Sequence, residues 1–133
     1  MIFAMCNASF ANATTNDQTI KKCMRFARQH NGGGILVVNA ASVISTEPTY
    51  LLEVEPICDE ANIEVLRTVL STQQGRCVAA WGSWQRAIRQ RLEPGIAAIK
   101  RYGMQLQCFG LTKSGEPRHP VRLPYDTPLV PFG

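Results

Sequence analysis

Short apolar runs alternate with longer amphipathic stretches along this chain. The apolar runs predict four strands, over residues 2–6, 35–38, 77–80 and 106–109. Between them, apolar residues recur at helical spacing, over residues 20–27, 63–70 and 84–92. Strands that alternate with helices predict βαβ units and a parallel sheet. We therefore expect an α/β fold, a three-layer α/β/α sandwich with a mostly parallel sheet of about four strands.

Local signals predict where these elements begin and end. Asp17 stands where the first helix should be capped, and the second helix is expected over Asp59 to Thr72. Ser83 is the expected cap of the third helix, which Pro94 and Gly95 should interrupt. The second strand is apolar throughout, which suits a central strand covered on both faces.

The composition is that of a single globular domain over residues 1–133. The chain is 45% hydrophobic and 18% charged, which is ordinary for such a domain. From Gly110 onward it is rich in turn residues, so residues 110–133 are expected to form an irregular, proline-rich wrap and no further core layer. No apolar run reaches the ~20 residues of a membrane span, and no signal peptide is expected.

Charge and cysteine content limit the classes of partner, metal site and disulfide that we expect. The formal net charge of +4 permits DNA or a nucleotide as partner without requiring one. The five cysteines include no C-x-x-C pair, which argues against a disulfide framework and a thiolate zinc site. We expect no metal and no cofactor, and a cytoplasmic location is the simplest one. The sequence predicts no oligomeric state.

Polar and flexible residues follow each predicted strand, at the positions where open parallel sheets bind ligands. They are Asn7 and Ser9 after the first strand, Asn39 after the second, Trp81 and Gly82 after the third, and Lys113, Arg118 and His119 in the loop after the fourth. We expect the topology to bring several of these segments to one edge of the sheet.

The loop after the fourth strand carries the strongest cluster. Arg118 is suited to clamping a phosphate or carboxylate with two hydrogen bonds, and Lys113 adds a point charge. His119 is suited to donating a proton near neutral pH or to hydrogen-bonding a substrate oxygen. The alternative is a solvated basic turn.

The other candidates each have a structural alternative. Asn7 is able to hold a water or a substrate carbonyl, or to satisfy loop backbone groups. Asp17 is interpreted as a helix cap in preference to a catalytic base, whereas Asn39 is equally suited to contacting a base and to ordering its loop. Trp81 is interpreted as packing in preference to base stacking. Gly82 permits close approach of the backbone to a ligand.

The third predicted helix is rich in arginine. Arg86, Arg89 and Arg91 lie on it, and Lys100 and Arg101 follow. A solvated helix face is expected of these residues, with contact to a phosphate backbone as the alternative.

Several of these segments together match a known pattern. They are Asn7-Ala8-Ser9, Thr15 to Cys23, Ile35 to Asn39, Ala80-Trp81-Gly82, Gly110 to Lys113 and Pro117 to Pro120. Over almost the whole chain they resemble domain-of-unknown-function family 1643, which occurs in bacteria, plasmids and phages and brings no established activity. The chain departs from the family pattern at Ala8, where the family has proline, and over residues 59–62, where the family tends to have P-E-N-D. Family members also usually carry residues before the first strand.

A second resemblance concerns mechanism. An Asn turn after the first strand and a His-Pro turn after the fourth are similar to the two motifs of the uracil-DNA glycosylase superfamily. This resemblance implies that Asn7 orients the attacking water and that His119 hydrogen-bonds a flipped base. Val121 departs from the pattern, which usually has serine there. A shared fold alone does not establish a function.

The leading hypothesis is a protein directed at nucleic acid or a nucleotide, with glycosylase-like removal of a base from DNA as its enzymatic form. A non-catalytic module that binds a nucleotide or nucleic acid is the alternative. A further alternative is a protein-interaction factor of a mobile element, with the tail from Pro124 to Gly133 as its contact.

Overall fold

The computed structural model describes residues 1–6, 13–43 and 48–133, without the side chains of residues 13–17, 48 and 49. Its strands are β1 (Ile2–Met5), β2 (Leu36–Asn39), β3 (Cys77–Ala79), β4 (Gln107–Cys108) and β5 (Val130–Pro131). Its α-helices are α1 (Ala13–Gln29), α2 (Glu60–Thr72) and α3 (Arg86–Tyr102), with short 3-10 helices at Pro48–Leu52 and Pro120–Arg122. Within the described residues, no helix is long and apolar enough to cross a membrane.

The strands form one sheet in the order β2-β1-β3-β4-β5. The first four are parallel, with Phe3 of β1 paired with Val37 and with Val78. The predicted α/β class with a mostly parallel sheet is confirmed. The apolar second strand, however, is an edge strand, and Leu36 on it is 40% exposed. An apolar run indicates burial, but the order of strands depends on the crossovers.

Helices cover both faces of the sheet. Successive side chains of a strand point to opposite faces, and all four side chains of β1 are apolar and buried. Ile2 and Ala4 of β1 belong to a core beneath α2 and α3. Phe3 and Met5 belong to a second core, beneath α1 and the C-terminal segment. The chain therefore has one helical layer on each face.

Two predicted helix starts are wrong. Helix α1 begins at Ala13, so Asp17 lies inside it and is not its cap; residues 13–16 carry no apolar periodicity that would have revealed the first turn. Helix α3 begins at Arg86, after Gln85, so Ser83 is not its cap. The start of α2 is confirmed, since the Asp59 carboxylate accepts a hydrogen bond from the backbone N–H of Asn62 at 2.8 Å.

The predicted interruption of the third helix is also absent. Pro94 and Gly95 lie inside a continuous α3, although proline removes one backbone hydrogen bond. Leu92, Ile96 and Ile99 are fully buried on both sides of it, and this packing holds the helix together across the missing bond. Gly95 meets the chain just after β2, because a Cβ built on it would lie 2.8 Å from Cα of Ala40.

The C-terminal segment contributes to the core and the sheet. Strand β5 pairs with β4 in antiparallel sense, with Val130 opposite Cys108. Leu123 is buried, and Phe132 packs against the core beneath α2 and α3. The expectation of an irregular wrap over residues 110–133 is therefore wrong in part: two-residue strands carry too little pattern to predict, and the free edge of β4 makes the pairing possible.

Candidate functional site

The carboxyl ends of β1 to β4 meet at one edge of the sheet, as expected of parallel strands. Asn39 is the last residue of β2, paired with Met5 at the end of β1. Trp81 and Gly82 follow β3. Asn7 and Ser9 lie outside the described residues. Asp17 is described only as backbone within α1.

A hairpin follows β4 and carries the basic cluster. We call residues 110–118 the 110–118 hairpin. Its arms are joined by a bridge between Leu111 and Pro117 and by the backbone N–H of Arg118, which donates to Gly110 at 3.1 Å. Its tip closes where the N–H of Gly115 donates to the carbonyl of Thr112 at 3.0 Å. Gly115 has φ +83°, a conformation that favours glycine.

Hydrogen bonds attach this hairpin to the loop between β3 and α3. The backbone N–H of Gly82 donates to Pro117 at 2.9 Å. Ser83 Oγ donates to Thr112 Oγ1 at 2.8 Å and lies 2.9 Å from Ser114 Oγ. The Gly82 N–H is therefore not available to a ligand, and Ser83 connects two loops instead of capping a helix.

Glu116 anchors the hairpin from its inner side, and sequence analysis did not single it out. Its carboxylate accepts from Trp81 Nε1 at 2.7 Å and from Arg89 Nε at 2.6 Å. The side chains of Glu116 and Arg89 are only 18% and 21% exposed. The available signal in the sequence was a single acidic residue within a basic loop. The partners of Glu116 could not be predicted from it, because Arg89 lies 27 and Trp81 lies 35 residues away in the sequence.

Trp81 is a packing residue in this structure. Its side chain is 1% exposed, and Phe132 meets its ring edge-on at 5.4 Å between centroids. With its indole N–H also bonded to Glu116, the ring presents no face on which a base could stack. The packing interpretation fits Trp81, and the stacking alternative does not.

Two arginines of α3 have internal partners. Arg89 forms ion pairs with Glu93 and Glu116. Arg91 donates to the carbonyl groups of Leu51 and Val54 and forms an ion pair with Glu55. Neither side chain forms the solvated face that we expected, and neither is free to contact a phosphate backbone.

His119 is the best defined of the candidate residues. Its Nδ1 accepts the backbone N–H of Val121 at 3.2 Å, so the ring caps the 3-10 helix Pro120–Arg122. Burial lowers the pKa of the imidazole below its ordinary value. At neutral pH the ring is therefore uncharged, and because Nδ1 accepts a hydrogen bond, Nε2 carries the proton. His119 presents one fixed N–H donor.

Gly82 lies beside His119, and Gly110 lies beside Arg118. A Cβ built on Gly82, where φ is +72°, would lie 3.5 Å from Cβ of His119. A Cβ built on Gly110 would lie 3.7 Å from Cδ of Arg118. Arg118 and Lys113 are exposed, and neither has an ion-pair partner among the described residues. Asn39 lies apart, because β1 separates β2 from β3 by two strand spacings, roughly 10 Å.

A wide cleft of about 1680 Å³ is lined by residues that include Arg76, Lys100 and Gln107, and it reaches the 110–118 hairpin at Leu111 and Gly115. Much of it is formed by residues that precede β3 and β4, so it is not the candidate site. Among the described residues, no three His, Cys, Asp or Glu side chains are grouped as a metal site would require.

Comparison with known proteins places the chain in a family. A family model described as a protein of unknown function (DUF1643) matches residues 1–121. This chain belongs to that family. The match confirms the resemblance inferred from the motifs and includes the 110–118 hairpin and His119, whereas β5 lies beyond the residues matched to the DUF1643 family. No curated protein and no solved structure matches the chain.

Proposed function

We propose that this protein acts on nucleic acid or a nucleotide, and that it holds a nucleobase at the carboxyl edge of its sheet. The observation that carries the proposal is the His119 imidazole, neutral through burial and held by Val121 so that Nε2–H is a fixed donor. A fixed donor without charge suits a carbonyl oxygen of a base, because it favours negative charge that develops there without forming a permanent ion pair.

The enzymatic form of the proposal is glycosylase-like removal of a base from DNA. The bond between the sugar C1′ and the base nitrogen breaks, and its electron pair leaves with the base. Water adds to C1′, and its proton finally resides on the departing base. His119 would stabilise the negative charge that reaches the base oxygen in the transition state. Resemblance alone assigns Asn7 the role of orienting the water.

Two charged side chains support an anionic substrate. Arg118 and Lys113 are exposed on the 110–118 hairpin, whose hydrogen bonds to Gly82 and Ser83 hold it beside the end of β3. An exposed guanidinium on the residue next to His119 is suited to the phosphate of the same nucleotide.

The test is release of free base from duplex and single-stranded DNA that contains a panel of damaged or modified bases. His119→Asn is the informative variant, since Asn also caps helices well and keeps an acceptor for Val121, whereas it lacks the Nε2–H donor. We expect wild type to release a base and His119→Asn to lose about 10²-fold in rate. Asn7→Ala should lose activity as well.

Arg101→Gln is the control for an unrelated surface change, because it alters one exposed side chain at the far end of α3. It should retain the wild-type rate. No release across the panel, with no thermal stabilisation by any nucleotide or oligonucleotide, would overturn the proposal. Stabilisation by a nucleotide that is lost in His119→Asn, without base release, would retain the binding site and remove the reaction.

A further inference from the structure

Charge is unevenly distributed along the chain. Residues 29–66 contain no Lys or Arg and six acidic residues, five of which lie in the described part around the start of α2. On the other face of the sheet, α1 (Ala13–Gln29) contains Lys21, Lys22, Arg25 and Arg28 and one acid, Asp17. The modest net charge of the chain therefore conceals a strongly basic layer.

These basic residues share one side of α1. Lys21, Arg25 and Arg28 are spaced by four and then three residues, and Lys22 lies three residues before Arg25, so their side chains are neighbours on the helix surface. The apolar residues of α1, Cys23 and Phe26 among them, are buried in the core below. Arg25 and Arg28 are exposed.

An aromatic ring holds two of the charges in position. Lys22 Nζ lies 4.0 Å and Arg25 Cζ 3.8 Å from the ring centroid of Tyr125. The ring itself packs on Phe26 at 5.4 Å between centroids. Because the ring contacts limit side-chain motion while leaving the charges unneutralised, less conformational entropy would be lost when a phosphate binds.

The basic layer borders the candidate site. The 3-10 helix Pro120–Arg122 packs against α1, and it is the helix that His119 caps. Its Arg122 is exposed. One short segment therefore joins the proposed base donor to the basic side of α1. We define Lys22, Arg25, Arg28 and Arg122 as the basic face.

We propose that the basic face docks the phosphate backbone of DNA while the His119 site receives the base. This inference rests on the proposed function and names its macromolecular partner surface. Among the described residues, none of its four members has an ion-pair partner, in contrast to Arg89 and Arg91 of α3. A polyanion with a regular row of charges suits such a surface, and its binding would be strongly salt-dependent.

The test measures affinity for a short duplex oligonucleotide over a range of KCl concentrations. In Lys22→Gln/Arg25→Gln, the loss of two phosphate contacts should make the negative slope of log K against log salt less steep by about 1.8. At about 0.1 M salt this corresponds to roughly a sixtyfold loss of affinity. The charge-keeping variant Lys22→Arg/Arg25→Lys should retain most of the slope and affinity. Circular dichroism and thermal unfolding check that each variant is folded.

Lys100→Gln/Arg101→Gln is the matched control. It removes the same two charges from the opposite layer, and these side chains also lie near aromatic rings, Phe132 at 5.9 Å and Tyr102 at 5.4 Å. We expect it to bind DNA almost as wild type does. Equal losses in the two double variants would overturn the inference, since net charge alone would then explain binding.

Two further outcomes separate this inference from the proposed function. Nucleotide binding that depends on His119, without measurable binding to duplex DNA, would overturn the basic face and leave the proposed function standing. DNA binding that depends on Lys22 and Arg25, but is unaffected by His119→Asn and accompanied by no nucleotide binding or base release, would retain the basic face as a DNA-docking surface and overturn His119 as the site that receives a base. Tighter binding to phosphatidylserine and phosphatidylcholine vesicles than to DNA would overturn the inference.

Discussion

Replacing Gly95 with alanine should destabilise the protein, although the position lies inside a helix. From helix propensity alone, the change should stabilise α3 by about 1 kcal/mol. The structure predicts the opposite sign, because a Cβ at Gly95 would overlap the carbonyl oxygen of Ala40 and would lie 2.7 Å from its carbonyl carbon. Ordinary contact begins near 3.4 Å, so α3 and the chain after β2 must separate by more than half an ångström.

The atoms that must move are backbone atoms, so the cost belongs at the upper end of the range for overpacking, about 3 kcal/mol. After the propensity gain, the expected net destabilisation is about 2 kcal/mol. For a domain of this size that corresponds to a fall in Tm of roughly 8 °C. Both numbers are measurable by urea titration and thermal unfolding of the purified protein.

Gly33→Ala is the control for the Gly95 prediction. A Cβ at Gly33 would meet nothing within 4 Å, and its φ is not in the left-handed region. Alanine there should be neutral or stabilise by up to about 1 kcal/mol, through loss of freedom in the unfolded chain. If Gly95→Ala raises Tm as Gly33→Ala does, the close approach of α3 to Ala40 is wrong.

Four other results are expected. Glu116→Gln should destabilise the fold by about 1–3 kcal/mol because the largely buried Arg89 loses its charged acceptor. Glu64→Gln breaks an exposed ion pair and should have a much smaller effect; equal losses of stability in urea titrations would contradict the anchoring role of Glu116. Because burial lowers the pKa of His119, the unfolded chain takes up this proton first, so wild type should lose stability more steeply than His119→Asn as the pH falls below about 6.5; parallel curves would contradict this. Deleting residues 130–133 removes β5 and a packed ring, and should lower the free energy of unfolding by about 2 kcal/mol or more, so an unchanged Tm would refute a structural role for the tail. Cys58 is half-buried, whereas the other four cysteines are buried, so its thiol should react first with a thiol reagent in the native protein. Faster labelling of another cysteine would contradict the burial of that cysteine.

The tail prediction bears on the alternative of a protein-interaction factor. Val130 pairs with β4, and Phe132 contacts Trp81. A truncated chain would therefore lose part of its fold as well as any contact surface. Point variants of exposed tail residues, such as Asp126, are the cleaner way to test whether the tail binds a partner.

Much of the fold was predictable because its information is local. Apolar runs such as Ile2–Met5 are strands, and the Asp59 cap begins α2 where the pattern placed it. Prediction was wrong where local preference and tertiary packing disagree. Pro94 favours a helix end, but Leu92 and Ile96 on either side of it are buried against the sheet, and their burial outweighs one lost hydrogen bond.

The candidate site was likewise predictable only where its information is local. The basic loop after β4 and the glycine after β3 were recognisable from residue type and position, and the structure brings Gly82 beside His119. The role of Glu116 was not recognisable, because its partners Trp81 and Arg89 come near it only when the sheet has formed. Base stacking by Trp81 was ruled out by burial, which a single residue type cannot reveal.

The sequence by itself determined the alternation of strands and helices, the carboxyl-edge location of the polar loops and the basic character of α1, since each is a property of neighbouring residues. Only the tertiary structure decided that β2 is an edge strand, that the tail adds β5 and that His119 is a neutral, fixed donor. These features depend on which distant segments meet, and on the burial that results when they do. Local periodicity reveals neither which distant segments meet nor how deeply they become buried.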